Sequence, residues 1–309
     1  MNAKRIAVEF PVEQGSTLDL EPCIALFHRF IQEHRLEGLL IDVADYSHLL
    51  RGASVQLLGH DVDYRLEQRE DGTALVTLRK RCGELSLTDS VRDAVRKALV
   101  AVRALQAEIE GLHFRVGAPT FRLFDRLSAP NHDASSEALA KELEPILRAV
   151  WGEARLEPVA AARADPRSAL ALRATTSGAK TVDALLEPLG SAPTAAAAEA
   201  TAAQSAWDIE AEALKALRNA PGELVLLDVR EPHEVEICNL GGTLIPLGTL
   251  AQRIGELDPR AHIIAYCKVG GRGAQAVNLL RQAGFANTWN LRGGIDAWID
   301  RVDPSLTRY

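Results

Sequence analysis

Apolar residues in the first 175 positions follow two different spacings. They recur every three or four residues over 21–35 and over a segment that is capped by Thr88 and ends before Gly111, which predicts two amphipathic helices. A third helix is predicted over 136–151. Short apolar runs between turn residues predict strands at 5–10, 38–43, 54–58, 64–68 and 73–79. This mixture predicts an α+β domain over residues 1–175.

From residue 207 onward, short apolar runs alternate with helical segments. The runs at 224–229 and 262–266 are typical of strands buried on both faces, and a further strand is predicted at 287–291. Helical spacing at 247–257 and 273–283 fills the intervals. This alternation predicts a parallel α/β sheet flanked by helices, in which ligands gather at the carboxyl ends of the strands.

The stretch between these halves has a composition of its own. From 192 to 206, nine of fifteen residues are alanine and only Glu199 is charged. Such a sequence buries little apolar surface, so it predicts a linker. We therefore expect an α+β domain at 1–175, an Ala-rich linker at 176–206 and an α/β domain at 207–309. The sequence assigns no function to the first of these.

Charge and hydrophobicity limit the classes of partner. With 35 basic and 42 acidic residues the formal net charge is −7, which disfavours nucleic acid and anionic membranes. The longest uncharged run, 237–252, contains three glycines and a proline, so no membrane span is expected. No apolar core follows the basic residues near the N-terminus, so no signal peptide is expected and the protein is predicted to be cytoplasmic.

The residues that could bind metal or form disulfides are scattered. The four cysteines, which form no C-x-x-C pair, are Cys23, Cys82, Cys238 and Cys267. Neither a zinc site nor a disulfide framework is expected, and cysteine chemistry would use a single thiol. Acidic and histidine residues that could bind a divalent ion are Asp42, Asp45, His48, His60, Asp61 and Asp63. Their spacing matches no metal signature, so turn and solvent-facing roles are favoured and no metal is predicted.

One cysteine occupies a position where a sulfur anion is favoured. Cys267 follows the predicted strand at 262–266, and the sequence KVGGR leads from it into the next helix. The unpaired amides of a helix N-terminus favour an anion, and the two loop glycines let further amides point inward. Lys268 and Arg272 add positive charge. These groups are expected to lower the pKa of the Cys267 thiol toward neutrality, which requires about 2 kcal/mol.

Four sequence blocks make the second half similar to a known family. They are LVLLDVREPHEVE, LGGTLIPLGTL, IIAYCKVGGR and LLRQAGFANTWNLRGGIDAW. In this order and spacing, residues 207–309 resemble the rhodanese family of sulfurtransferases, whose loop cysteine carries a sulfane sulfur as a persulfide. The resemblance implies that Cys267 is the nucleophile and that Asp228 and Arg230 organise the pocket. It implies a persulfide cradle made by the backbone of Lys268, Val269, Gly270, Gly271, Arg272 and Gly273.

The resemblance also implies partners. Thiosulfate, a persulfide or a cysteine desulfurase would donate the sulfur, and a thiol or a ubiquitin-like sulfur-carrier protein would accept it. Many rhodanese sequences have a histidine and an Ile-Pro-Gly-Ala run where this chain has 238–243. That variant and the tail segment, residues 302–309, look like the rhodanese modules of adenylyltransferase/sulfurtransferase fusions. No metal or organic cofactor is expected, since the cysteine itself carries the transferred group.

Other functions stay open at this point. A rhodanese module without turnover could recruit a sulfur carrier or a desulfurase, although an intact loop cysteine favours catalysis. Cysteine phosphatases and arsenate reductases place an arginine in C-x5-R spacing, where this chain has Gly273, so they are less favoured. Cys238 could resolve a persulfide, but core packing is favoured. A separate enzyme within 1–175 is a further alternative, and the oligomeric state is not predicted.

Overall fold

The structure, a computed structural model, describes residues 5–16, 18–80, 85–165, 167–178, 180–190, 207–219 and 224–309. Tertiary contacts group the chain into two compact units. So far as their residues are described, the first unit comprises 1–26 and 43–194, and the second comprises 27–42 and 195–309. Each unit contains residues from a β-sheet and from several helices.

An eight-stranded sheet belongs to the first unit, except that residues 40–42 of its edge strand belong to the second unit. Its strands are β1 (Ile6–Pro11), β2 (Leu40–Tyr46), β3 (Ser54–Gly59), β4 (Val62–Arg69), β5 (Gly72–Arg79), β6 (Thr120–Leu123), β7 (Ala154–Pro158) and β8 (Leu170–Thr176). They lie in the order β2-β3-β4-β5-β1-β6-β8-β7, and every pairing from β3 to β7 is antiparallel. The five predicted strands are confirmed, whereas β6, β7 and β8 were not predicted because their apolar runs are short or interrupted by charge.

Helices complete the first unit. They are α1 (Glu21–Gln32), α2 (Leu87–Glu108), α3 (Asp133–Val150), α4 (Ala160–Ala164) and α5 (Val182–Leu186), of which α1 is divided between the two units. The prediction that Thr88 caps α2 is wrong. The Ser86 hydroxyl accepts the Asp89 amide at 3.0 Å, and the Thr88 hydroxyl instead donates to Glu142 at 2.9 Å. Two residues that suit a cap stand close together here, and the helix begins after the first of them.

The second unit contains the predicted parallel sheet. Its strands are β9 (Asp208–Ile209), β10 (Leu224–Asp228), β11 (Thr243–Leu244), β12 (His262–Tyr266) and β13 (Thr288–Leu291). They lie in the order β11-β10-β12-β13-β9, and all four pairings are parallel. Its further helices are α6 (Ala211–Asn219), α7 (Pro232–Ile237), α8 (Leu247–Arg253), α9 (Gly271–Gln282) and α10 (Gly294–Arg301). The predicted fold class, a parallel α/β sheet together with an α+β region, is confirmed.

Strand β12 is buried on both faces of this sheet. Ile263 and Ala265 belong to a cluster that includes residues of α8 and α9, whereas Ile264 and Tyr266 belong to a cluster with residues of α6 and α10. Successive side chains of a strand point to opposite faces, so helices cover both sides of β12. This arrangement explains why the strand has no polar alternation and leaves its carboxyl end as the place for chemistry.

The predicted domain boundaries stay a prediction. Helix α5 and the short helix Glu187–Leu189 fall within the stretch predicted as a linker, and 191–206 lie outside the described residues. None of the helices in the described part of the chain is both long enough and apolar enough to cross a membrane.

The first unit depends on a carboxylate buried in its central strand. Glu9 lies in β1, 4% exposed, and binds Arg69 at 2.9 Å and Arg122 at 2.5 Å. Burial by itself would raise the Glu9 pKa, but these two guanidinium groups lower it below its usual value. We expect Glu9→Ala to lower the free energy of unfolding by about 3 kcal/mol, because it removes the buried carboxylate that both guanidinium groups bind and leaves Arg69 with Glu67 alone.

The matched control is Glu157→Ala in β7. Its partner Arg155 is 82% exposed and Glu157 is 59% exposed, so less than about 1 kcal/mol should be lost. Because the folded-state pKa of Glu9 is depressed, its contribution is present above the ordinary carboxyl pKa and is lost as the pH falls through the depressed value. Denaturant unfolding at several pH values measures both effects, and equal losses in the two variants would contradict the assignment.

Candidate functional site

The parallel register places two candidate site residues at one edge of the sheet. Asp228, the last residue of β10, pairs with Tyr266, the last residue of β12. Cys267 follows immediately, so Asp228 and Cys267 lie at the ends of neighbouring strands, one residue apart in register. The carboxyl ends of parallel strands form the ligand-binding edge of such sheets. The position of Cys267 therefore follows from the strand pairing.

The loop after β12 turns its amides toward the sulfur. Gly270 has φ +96°, a left-handed conformation that favours glycine, and its amide donates to Cys267 Sγ at 3.1 Å. The amide of Gly273 in the first turn of α9 also contributes a hydrogen bond to this sulfur. Two backbone donors thus face Sγ, as the glycine spacing predicts.

Helix α10 fixes the opposite side of the same loop. The amide of Ile295 donates to the carbonyl of Cys267 at 2.8 Å, and the amide of Asp296 donates to the carbonyl of Lys268 at 3.1 Å. In a trans peptide the C=O and N–H groups point in opposite directions, so binding these carbonyls at α10 turns the next amides away from α10. Gly294 makes this approach possible, since a Cβ there would lie 2.3 Å from the Lys268 carbonyl oxygen.

Arg272 ends the loop between two carboxylates. Its two terminal nitrogens donate to Glu234 at 2.6 and 2.7 Å, and its Nε lies 3.0 Å from a carboxylate oxygen of Asp42 in the second unit. Burial would raise the Glu234 pKa, but the bidentate bond from Arg272, the Glu231 amide and the Tyr309 hydroxyl together lower the pKa to about 2. Glu234 is therefore ionised at neutral pH, and the positive charge of Arg272 faces two carboxylates.

The expected low pKa of the Cys267 thiol is not found. Cys267 is 0% exposed and packs in the cluster that contains Ile263 and Ala265. Burial raises the pKa of its thiol most strongly, and Asp42 raises it further, while Arg272 and the two loop amides lower it by less. The prediction was wrong because it counted the cations of the loop but neither the loss of water nor the carboxylates around Arg272.

Asp228 and Arg230 form a buried pair beside the loop. Arg230 is 0% exposed, binds Asp228 at 2.7 Å and donates to the carbonyl of Cys238 at 2.8 Å. It also donates to the hydroxyl of Tyr309 at 2.7 Å. Every terminal nitrogen of its guanidinium has a protein partner, so an organising role fits this geometry better than contact with a substrate.

The other predicted loop residues have distinct environments. The Lys268 ammonium lies 4.8 Å from the ring centroid of Tyr309, and Val269 is buried. A Cβ on Gly271 would lie 2.2 Å from the carbonyl oxygen of Ile41, and one on Gly273 would lie 2.2 Å from Asn290 Oδ1. The glycines are therefore required by close contacts as well as by loop conformation. Their roles in binding a substrate stay predictions.

In the described part of the chain, no geometry supports a redox role for Cys238 or a metal site at the acidic residues. Cys238 is buried in the cluster on the opposite face from Cys267, and Cys82 lies outside the described residues. The acidic residues that could have shared a metal ion have separate partners. Asp63 binds Lys80, Asp61 binds His60, Asp45 caps Ser47, and Asp42 faces Arg272. Among the described residues no group of three or more His, Cys, Asp and Glu could hold a metal ion.

Sequence reasoning missed three residues at this site. Glu234 could have been found, because Glu231-Pro232 followed by an acid three residues after Glu231 is capping-box spacing, and the Glu231 amide does donate to Glu234 at 2.9 Å. Tyr309 lies in the tail segment, and the sequence connects this segment with the site only through its resemblance to the rhodanese family. Asp42 is distant in sequence from Arg272, and no periodicity connects them.

A prediction concerns the contact between Gly294 and the loop. Gly294→Ala is expected to destabilise the protein by about 2 to 5 kcal/mol, since it combines a left-handed conformation with a clash against two carbonyl oxygens. Gly284→Ala is the matched control, because Gly284 has φ +95° but open space around it, and it should cost about 1 to 2 kcal/mol. Denaturant unfolding compares the two, and equal costs would show that the close approach is unimportant.

A second prediction concerns the Cys267 thiol. Because its pKa is raised, iodoacetamide should alkylate Cys267 slowly at neutral pH and faster as the pH rises. Asp42→Asn removes a carboxylate that raises this pKa, so we expect roughly three- to tenfold more alkylation at neutral pH. The rate is measured by mass spectrometry of the Cys267 peptide across pH.

The pH profile of alkylation distinguishes a change in the thiol pKa from a change in the access of the reagent. A lower pH midpoint in Asp42→Asn reports the pKa, whereas a higher plateau alone reports easier entry of the reagent. Asp45→Asn, an exposed residue that caps Ser47, is the control and should leave the profile unchanged. An Asp42→Asn midpoint at or above that of the unaltered protein would contradict the electrostatic assignment.

Comparisons with known proteins match the part of the chain that contains Cys267. The Rhodanese-like domain family matches residues 210–301. Over 110 residues the chain is 42% identical to the chloroplastic "Rhodanese-like/PpiC domain-containing protein 12" of Arabidopsis thaliana, covering 33% of this chain and 37% of that protein. Over 90 residues it is 34% identical to the "Probable adenylyltransferase/sulfurtransferase MoeZ" of Mycobacterium tuberculosis, covering 28% of this chain and 23% of that protein. The chain thus spans little more than a third of the first relative and about a quarter of the second.

Smaller proteins are matched over most of their length. A "Sulfurtransferase" of Allochromatium vinosum is 32% identical over 92 residues, which cover 29% of this chain and 86% of that protein. The crystal structure of a rhodanese-related protein from Thermoplasma volcanium is 31% identical, with 31% of this chain and 92% of that chain covered and a TM-score of 0.28. The family match and the relative named sulfurtransferase support a sulfur-transfer role at the level of the family. Through the domain at residues 210–301, the chain belongs to the rhodanese family.

Proposed function

We propose that this protein is a sulfurtransferase in which Cys267 carries a sulfane sulfur as a persulfide. The observation that supports the proposal is the placement of Cys267 Sγ, which lies at the end of β12 and receives hydrogen bonds from the amides of Gly270 and Gly273. Such donors stabilise negative charge on sulfur, and they need no reorganisation when the charge forms. The domain that performs this reaction would span 207–309, after a linker at 176–206.

The proposed reaction has two balanced steps. With thiosulfate as donor, the Cys267 thiolate attacks the sulfane sulfur, a new S–S bond forms, and sulfite leaves with the electrons of the broken S–S bond. An acceptor thiolate then attacks the outer sulfur of the persulfide, takes it, and regenerates the Cys267 thiolate. No external oxidant or reductant is consumed in this cycle. A small persulfide or a cysteine desulfurase could replace thiosulfate in the first step.

Burial of Cys267 sets a condition on this cycle. The thiol is 0% exposed, and the backbone carbonyls of Leu40 and Ile41 lie against Gly271 of its loop. A donor must therefore reach the sulfur through a transient opening, and the raised pKa makes the thiolate a minor species at neutral pH. Sulfur loading should consequently be slow at neutral pH and accelerate as the pH rises.

The proposal also covers the sulfur acceptor and the cellular location of the activity. The likeness of 210–301 to proteins named adenylyltransferase/sulfurtransferase supports a ubiquitin-like sulfur-carrier protein as acceptor. The domain at 1–175 would select the donor or acceptor, or mediate assembly. We place the activity in the cytoplasm, because the scattered cysteines are typical of a reducing compartment.

A binding module without turnover is the second candidate function. The observation that favours it is the complete burial of Cys267, which also raises the pKa of its thiol, so that the residue resembles a core cysteine more than an exposed nucleophile. In that case the domain would recruit a sulfur carrier or a desulfurase without accepting sulfur. A cysteine phosphatase or arsenate reductase is less supported, since an arginine at Gly273 would meet Asn290.

Intact mass spectrometry tests the proposal directly. After incubation with thiosulfate at mildly alkaline pH, the protein should gain one sulfur atom that dithiothreitol removes. Cys267→Ser should gain none, whereas Cys238→Ser should gain it normally, because Cys238 packs on the opposite face of the sheet. Added sulfur in Cys267→Ser would show that another group carries it. No added sulfur in the unaltered protein, with either thiosulfate or a small persulfide, would favour the binding module.

A further inference from the structure

The tail segment, residues 302–309, reaches the Cys267 loop through its last side chain. Val302, Leu306 and Tyr309 pack against the cluster that contains Tyr266 and Trp298. The segment is not helical after Arg301, so this shared packing, rather than a helical face, brings the three side chains together. This packing fixes the Tyr309 ring beside the loop.

Tyr309 contacts both cations of the loop, one directly and one through a carboxylate. The Lys268 ammonium lies 4.8 Å from the centroid of its ring, within the range of a cation–π interaction. Its hydroxyl donates to Glu234 at 3.0 Å, and Glu234 accepts both terminal nitrogens of Arg272 at 2.6 and 2.7 Å. Lys268 and Arg272 stand at the two ends of the loop that begins at Cys267.

The direction of these hydrogen bonds is fixed by ionisation. Arg230 donates to the Tyr309 hydroxyl at 2.7 Å, so that oxygen accepts from one side and donates to Glu234 on the other. Burial raises the pKa of Tyr309 above its ordinary value, and Glu234 has a pKa of about 2. At neutral pH the phenol is therefore a donor and the carboxylate an acceptor. The path runs from the buried Asp228–Arg230 pair through Tyr309 and Glu234 to Arg272.

We propose that Tyr309 is a positioning residue that sets both ends of the sulfur-carrying loop. This inference rests on the proposed sulfur transfer at Cys267. The hydroxyl holds Glu234, which orients Arg272 near the reacting sulfur. The ring holds the Lys268 ammonium, the cation adjoining Cys267, in a defined place for an anionic sulfur donor. The two functions belong to different atoms of one side chain, so substitution can separate them.

The test compares two substitutions in the full-length protein with thiosulfate as donor and a small thiol as acceptor. Tyr309→Phe removes the hydroxyl but keeps the ring, so kcat should fall about tenfold while KM for thiosulfate changes little. Tyr309→Leu removes both, so kcat should fall as in Tyr309→Phe and KM should rise by a further factor of about three. Tyr46→Phe, an exposed tyrosine of β2, is the control and should match the unaltered protein.

A double substitution identifies the origin of the KM effect. Tyr309→Phe and Tyr309→Leu are each combined with Lys268→Met. If the ring acts through Lys268, these two double variants should have the same KM for thiosulfate. A KM increase that persists there would overturn this part of the proposal. Equal changes of kcat and KM in Phe and Leu variants, together with a lower unfolding midpoint, would indicate a merely structural role and would also overturn it.

Failure of this inference is distinguishable from failure of the proposed function. If the unaltered protein gains no sulfur on Cys267, the sulfur-transfer proposal fails, and the Tyr309 inference fails with it. If the unaltered protein transfers sulfur and both Tyr309 variants have its kcat and KM, only the Tyr309 inference is wrong. Tyr309→Phe is conservative enough to keep the packing of the ring, so the comparison stays interpretable if Tyr309→Leu is unstable.

Discussion

The candidate site depends on how α10 binds the loop carbonyls. By donating to the carbonyls of Cys267 and Lys268, the first amides of α10 decide which way the following peptide units face. These bonds orient the amides of Lys268 and Val269, and the next amide, that of Gly270, donates to the sulfur. The absence of a side chain at Gly294 allows the helix to come so close. The same contacts cap a helix and orient the groups around Sγ, so folding and chemistry share them.

Burial and charge oppose each other around the sulfur. The loop amides and Arg272 favour an anion, but exclusion of water and the carboxylate of Asp42 favour the neutral thiol, and the second pair is stronger in the described conformation. Glu234 adds to this balance by engaging Arg272 in a bidentate pair. A persulfide is a stronger acid than its parent thiol, so the persulfide proposed for Cys267 would ionise more readily in these surroundings than the thiol does.

Local sequence pattern determined much of the fold and the place of the site. Strand β12 has its predicted bounds because five consecutive residues without polar alternation fit only a strand covered on both faces. The site's electrostatics were less accessible, because Asp42 and Tyr309 approach the loop through tertiary packing. Summing the charges near Cys267 in sequence therefore gave the wrong direction for its pKa. The start of α2 was also predicted inexactly. Ser86 and Thr88 have similar capping ability, so the sequence does not show which of them the helix uses.

The absence of a side chain at Gly273 limits how the loop of this domain could be redesigned. A side chain there would collide with Asn290, whose amide in turn binds Asp208 at 2.7 Å and so joins β13 to the edge strand β9. Converting the loop to one that encloses a tetrahedral oxyanion would place arginine at this position. Room for it could come only from rebuilding two strands of the sheet, so the loop and the sheet edge would have to change together.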